Sequence, residues 1–148
     1  MSLKTKLEDD MKEALRRKDD LRKNTLRMAL SSIRLVEIDK ATPMDDAGVM
    51  AILQKEIKSR HETIADAEKA NRPDLIEQAH KEIAILEGYL PKALTAAELE
   101  AIARQAIADS GANSIAQLGQ VMKILMPRIQ GKATGEQASQ AVRKLLQG

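Results

Sequence analysis

Apolar residues recur at three- and four-residue spacing almost from one end of this chain to the other, and the strict alternation of a half-buried strand never persists. The pattern predicts an all-α fold. Leu3, Leu7, Met11 and Leu15 form the stripe of a first helix, with Ser2 placed to cap it. Leu26, Met28, Leu30, Ile33 and Ile38 belong to a second that begins after Asp19-Asp20. The spacing leaves open whether these are two helices or one bent rod. Ala41-Thr42-Pro43 interrupts the pattern, because proline cannot continue a helix and biases its predecessor away from helical angles. A long third helix follows, capped by Asp45 or Asp46 and striped by Val49, Ile52, Leu53, Ile57 and Ile64. It should end at Asn71, since asparagine tolerates the left-handed angles of a helix C-terminus. Pro73 suits the first turn of a fourth helix, with Leu75, Ala79, Ile83, Leu86 and Leu90 inward.

Pro91 closes that helix, and behind it the chain becomes rich in alanine and in basic residues. The expected division is an N-terminal helical subdomain of about four helices, residues 1–91, and a C-terminal three-helix bundle, residues 92–148. Thr95 and Glu98 stand at capping-box spacing at the start of the bundle's first helix, which Gly111 ends. Ser114 and Gln117 have the same spacing before a second helix that should stop around Pro127. The third opens near Thr134 and Gln137, and its inward face is Ala138, Ala141, Val142, Leu145 and Leu146.

Composition narrows the chemistry. With 43% apolar and 31% charged residues the chain has enough apolar surface to fold. Cysteine is absent, which removes disulfides, thiolate metal sites and cysteine nucleophiles together and fits a reducing compartment. No run approaches the roughly 20 apolar residues of a membrane helix, and MSLKTKLEDD lacks the apolar core of a signal peptide. A cytoplasmic protein with no membrane partner is the expectation. Tyr89 is the sole aromatic residue, so a binder that stacks unpaired bases on rings is disfavoured.

The catalytic motifs one would look for are each incomplete. His61-Glu62 starts like HExxH, but the second histidine position is Ala65 and only His80 remains elsewhere. Solvent-facing helical histidines and no metal are expected. Gly131-Lys132 resembles part of a phosphate loop, yet Met126 stands where the pattern needs its first glycine and Ala133 where it needs Ser or Thr. A turn followed by a helix start is expected there, with no bound nucleotide or other cofactor. Ser31-Ser32 lie in an apolar helix without a glycine-rich loop, and Ser114 lacks the G-x-S-x-G elbow. The carboxylates from Glu8 to Asp10 and from Glu62 to Glu68 read as solvated helix faces. No catalytic residue can be nominated.

Charge distribution is more informative than net charge, which is +2. Residues 1–91 hold 17 Lys and Arg against 18 Asp and Glu, whereas residues 92–148 hold 7 against 4. From Gly111 onward Lys123, Arg128, Lys132, Arg143 and Lys144 face only Glu136 in sequence, around a glycine-flanked helix start. Helix starts offer free backbone N–H groups, so this cluster is the first candidate for phosphate contact. The second is Arg16, Lys23, Arg27 and Arg34, which would share one face of a continuous helix. An ordinary solvated surface laced with Asp19 and Asp20 is the plainer account of that stripe.

The strings TLRM at Thr25 to Met28, QKEIKSR at Gln54 to Arg60, NRPDL at Asn71 to Leu75, LEGYLPKAL at Leu86 to Leu94, LGQVMKILMP at Leu118 to Pro127 and GKATG at Gly131 to Gly135 together resemble the YqeY-like family, also described as the GatB/YqeY domain. That family is similar to the tail of the B subunit of the glutamine-dependent amidotransferase that converts mischarged Glu-tRNA or Asp-tRNA into Gln-tRNA or Asn-tRNA. The resemblance implies a tRNA-associated, non-catalytic module with Leu118 to Gly135 as the contact region. The chain departs from the common pattern at Asn71, where glycine is frequent, and at Ala67, where an aromatic often appears. The leading expectation is a helical module that binds tRNA or a tRNA-handling enzyme. The alternatives are an auxiliary part of amidotransfer, a carbon-nitrogen ligase reaction with glutamine as amido-N-donor, and a protein-protein adaptor.

Overall fold

Seven α-helices account for nearly all the secondary structure of the computed structural model, which describes residues 2–147; among these residues there is no strand. They are α1 (Leu3–Arg16), α2 (Asp20–Lys40), α3 (Asp46–Lys69), α4 (Pro73–Glu87), α5 (Ala96–Ser110), α6 (Leu118–Ile129) and α7 (Gly135–Gln147), with a short 3-10 turn at Ile115–Gln117 before α6. The chain divides into two compact units, residues 1–90 and 91–148. The first holds α1 to α4 and the second α5 to α7, so the expected all-α architecture of four helices and a three-helix bundle is what the structure contains.

Local chemistry sets most helix ends. Ser2, Asp19, Asp45 and Thr95 each accept a backbone N–H through the side chain at a helix start. The α1 and α2 helices are separate: Lys18 takes a left-handed φ of 60° between them and Asp19 caps the second. Asn71 has φ 55° just beyond α3, and Gly111 has φ 72° at the end of α5, where a side chain would be strained. Thr134 accepts from the Gln137 N–H at 3.0 Å while Gln137 Oε1 accepts from the Thr134 N–H at 2.9 Å, a reciprocal capping box at the head of α7.

Two expected boundaries differ. Pro127 does not stop α6, which runs to Ile129. A proline in the last turn removes only the bond that the Lys123 carbonyl would accept, and the helix ends instead where Gln130 and Gly131 take φ 49° and 78°. Ser114 makes no side-chain cap; Gln117 Oε1 accepts from the Asn113 N–H at 2.8 Å and the segment between winds as the 3-10 turn.

In the N-terminal unit Leu7, Leu26, Ala29, Ile33, Val49, Leu53, Leu86 and Tyr89 form the main core, with Ile64, Ala79 and Ile83 in a smaller cluster. Four residues expected in the stripes are instead exposed, Leu15 at 58%, Met28 at 54%, Ile38 at 69% and Leu75, in the first turn of α4, at 39%. Ala14, Thr25 and Ala29 take the inward positions, small side chains that fit between closely packed helices. In the C-terminal unit Val121, Leu125 and Ile129 of α6 pack with Leu99, Ala103 and Ala106 of α5 and with Ala138 and Val142 of α7. The buried residues of that core are all apolar, and Thr25 and Arg60, the buried polar residues among those described, both belong to the first unit.

Candidate nucleic-acid interface

All five basic residues singled out in the C-terminal unit are exposed, but the helices do not gather them onto one face. At about 100° per residue, Lys123 stands about 140° around α6 from Arg128. Since Val121, Leu125 and Ile129 define the buried side, Lys123 points away from the core while Arg128 borders it. Arg128 is also engaged, because its Nη2 lies 2.7 Å from Asp109 Oδ2 on α5. The Arg128 guanidinium, with help from Gln105, holds the Asp109 carboxyl below its usual range. The acid that offsets this part of the cluster therefore comes from a neighbouring helix, not from the local sequence.

Lys132 lies in the turn between α6 and α7, where its carbonyl accepts from the Leu94 N–H at 2.9 Å and its own N–H donates to the Ile129 carbonyl at 3.0 Å. Those two bonds fix the backbone and leave the ammonium exposed. Arg143 and Lys144 are about 100° apart on α7. Lys144 borders a groove of about 340 Å³ whose walls are Leu94, Leu99 and Glu100 on one side and Ala141 and Leu145 on the other. Lys123, Lys132, Arg143 and Lys144 enter no ion pair among the described residues. The GKATG string is a turn and helix start, as its incomplete phosphate-loop pattern implied, with Ala133 buried beneath it.

The N-terminal stripe is split. Arg16 ends α1, where it sits 3.5 Å from Glu13, and the break at residues 17 to 19 takes it off the face of the other three. Lys23, Arg27 and Arg34 do share a strip about 40° wide on α2. Arg27 and Arg34 line a cleft of about 320 Å³ between α1 and α2 together with Lys4, Glu8 and Ser31. Lys4 Nζ closes on Glu37 Oε1 at 2.7 Å, and this bond, with the Met44 N–H, keeps the Glu37 carboxyl below its usual range.

His61 and His80 are both exposed, and no group of His, Asp and Glu among the described residues is arranged to hold a metal.

Two polar constellations were not anticipated. Arg60, only 6% exposed, donates through Nη1 to the Glu56 carbonyl and to Glu56 Oε2, at 3.0 and 2.8 Å. Its Nε lies 3.4 Å from Glu82 Oε2 on α4, close enough for ionic attraction but not aligned for a hydrogen bond. Ser32 on α2 donates to Glu56 Oε1 at 2.8 Å, so one buried arginine links three helices. Tyr89 donates to Asp10 Oδ2 at 2.6 Å and accepts from Arg22 Nη2 at 3.1 Å, with the Lys6 ammonium 5.6 Å from the ring centre. Burial first, and then the bond to Asp10, push the phenol up to about 12, against the opposing influence of Arg22. The QKEIKSR and LEGYLPKAL strings contained these residues, but nothing in linear spacing distinguishes a buried arginine from a solvated one.

The sequence matches the model of the Yqey-like protein family over residues 4–146. Curated relatives include "Altered inheritance of mitochondria protein 41, mitochondrial" from Lachancea thermotolerans, 39% identical over 64% of this chain and 51% of the relative. The protein of the same name from Vanderwaltozyma polyspora is 40% identical over 57% of this chain and 46% of its own length. In Pyrenophora tritici-repentis the identity is 28%, over 86% of this chain and 71% of the relative. The chain spans about half the length of the first two. These names overturn the cytoplasmic expectation, since the relatives are designated mitochondrial. The absence of cysteine suits any reducing compartment and cannot separate one from another. That no helix among the described residues is long and apolar enough to cross a membrane carries no more information about place. With the family match covering nearly its whole length, the chain belongs to the YqeY-like family.

Proposed function

We propose that this protein is a helical module without catalysis of its own whose C-terminal unit contacts the phosphates of a folded RNA, with tRNA as the substrate class. The observation that carries this reading is the set of four exposed cations that have no ion-pair partner among the described residues, Lys123, Lys132, Arg143 and Lys144, on a unit whose buried residues are apolar. Their spread around α6 and α7 suits a curved, shape-recognised RNA surface better than a flat duplex face, and the lack of aromatic residues in this unit suits paired rather than splayed bases. Arg128 supports the unit by holding Asp109 and is the least available of the five.

The test is binding of unmodified tRNA to the full chain across a salt series. Four neutralised phosphates give a slope of log affinity against log salt near −3 to −4, or roughly a hundredfold loss between low and moderate salt. Changing Lys123→Glu, Lys132→Glu, Arg143→Glu and Lys144→Glu together should abolish binding and leave the helical melt in place, because each site is exposed. Tight, salt-resistant binding by that variant would reject the surface. If binding moves instead with Arg27 and Arg34, the α2 strip is the RNA-facing side.

A further inference from the structure

The exposed side of α2 carries a second surface that phosphate contact does not explain. Met28, Leu35 and Ile38 are 54%, 68% and 69% exposed, large apolar side chains on one helix. They fall into a heptad register running from Leu21 to Ile38, with Leu21, Met28 and Leu35 at one seam position and Asn24, Ser31 and Ile38 at the other. The residue immediately before Met28, and likewise before Leu35, is an arginine, Arg27 and Arg34. Both are exposed, and neither forms an ion pair among the described residues. The opposite side of the helix is occupied, with Leu26, Ala29 and Ile33 in the core and Ser32 bonded to Glu56.

We propose that this face docks an amphipathic helix of a partner protein whose apolar stripe is flanked by Asp and Glu. The four apolar seam residues, Leu21, Met28, Leu35 and Ile38, call for apolar side chains at matching heptad spacing, Asn24 and Ser31 between them admit polar ones, and the two guanidiniums beside the seam call for carboxylates, which they can grip in a two-pronged fashion. The seam from Leu21 to Ile38 is about 27 Å long, the reach of five helical turns of a partner. The cleft of about 320 Å³ beside the seam is lined by three cations, Lys4, Arg27 and Arg34, against one acid, Glu8, and provides room for the partner's acidic side chains. Other occupants match less of the surface. A nucleic acid would use the arginines and leave Leu35 and Ile38 in water. An antiparallel second copy would set Arg27 against Arg34. A bilayer would meet a face with no aromatic residue to seat at its interface.

Fluorescence anisotropy with a synthetic peptide of about four heptads, Leu at the seam positions and Glu on both flanks, tests this on the full chain. Saturable binding is expected, with no binding of the same peptide carrying Lys in place of Glu. Leu35→Ser with Ile38→Ser should weaken it by at least about tenfold, and so should Arg27→Glu with Arg34→Glu, because seam and flank act together. Unchanged circular-dichroism melts establish that both variants fold, as exposed positions allow. Equal binding of the lysine peptide, or indifference to both variants, overturns the proposal. So does a preference of this face for phosphatidylserine vesicles, or a sedimenting dimer that the variants dissolve. The four C-terminal changes that test RNA contact do not touch α2, so either reading can fail while the other stands.

Discussion

Arg60 in the first unit and Leu125 in the second occupy the same kind of place, the inward face of a helix packed against two others, yet they hold their bundles together by different physics. Leu125 is wholly buried among apolar neighbours from α5, α6 and α7. Arg60 is nearly as buried, but its neighbours are Glu56, Glu82 and, at 3.9 Å from Nη2, the sulfur of Met28. An apolar core accepts many packings of similar volume, whereas a buried ion network is satisfied in few. The N-terminal unit keeps discriminating charge inside, where it ties α2, α3 and α4 together. The C-terminal unit keeps its charge on the surface, around an apolar core.

The largest effect is expected from Arg60→Ala, which leaves Glu56 and Glu82 without their cation and should cost the first unit about 3–5 kcal/mol. Adding Glu56→Gln and Glu82→Gln should recover part of that loss, because the penalty is stranded charge more than missing volume. Leu125→Ala should cost the second unit about 2–5 kcal/mol through its cavity, and no polar substitution nearby should recover it. Residue-resolved hydrogen exchange reads each unit separately. If the two glutamine changes deepen the Arg60→Ala defect, stranded charge is not what the arginine offsets.

A smaller effect is expected at the helix starts of the second unit. Thr134→Ala removes the oxygen that accepts from Gln137 and should cost about 1 kcal/mol, while Ser114→Ala, at a position that makes no cap, should cost much less. Chemical denaturation of both variants checks it, and equal losses would show that the 3-10 turn depends on Ser114 after all.

Confined to base, and absent at neutral pH, is the effect of titrating Tyr89. Its folded-state value is raised from 10.0 to about 12, so the protonated phenol is the form the fold favours. The associated stability is present in full below pH 10 and is lost as pH rises through the window from 10 to about 12. Because Tyr89 is the sole aromatic residue, tyrosinate absorbance follows this one group. Asp10→Asn should move the titration down toward 10.0 and Arg22→Met should move it up, the directions set by the two hydrogen-bond partners. A titration already near 10.0 in the unaltered chain contradicts the burial of the phenol.

Much of the fold was legible in the linear sequence because helices are local objects. Ser2, Asn71, Pro73, Thr95, Gly111 and Thr134 act on backbone groups within four residues of themselves, so their meaning survives whatever the rest of the chain does. Periodicity likewise identified Leu7, Leu53, Ile83 and Val142 as inward residues. The family could be read for the same reason, as an ordered set of such local strings.

What the tertiary structure alone decided is which side of each helix meets a neighbour and which charges meet each other. Met28 and Ile38 carry the same apolar signal as Leu26 and Ile33, and only the arrival of α3 and α4 against one side of α2 leaves the first pair in solvent. Arg60 looks like any surface arginine until α4 brings Glu82 to it. Arg128 looks like a free cation until α5 brings Asp109 across eighteen intervening residues of chain. Capping and periodicity act within a turn or two, so sequence carries them directly; ion pairing and burial depend on distances that only the packed helices set.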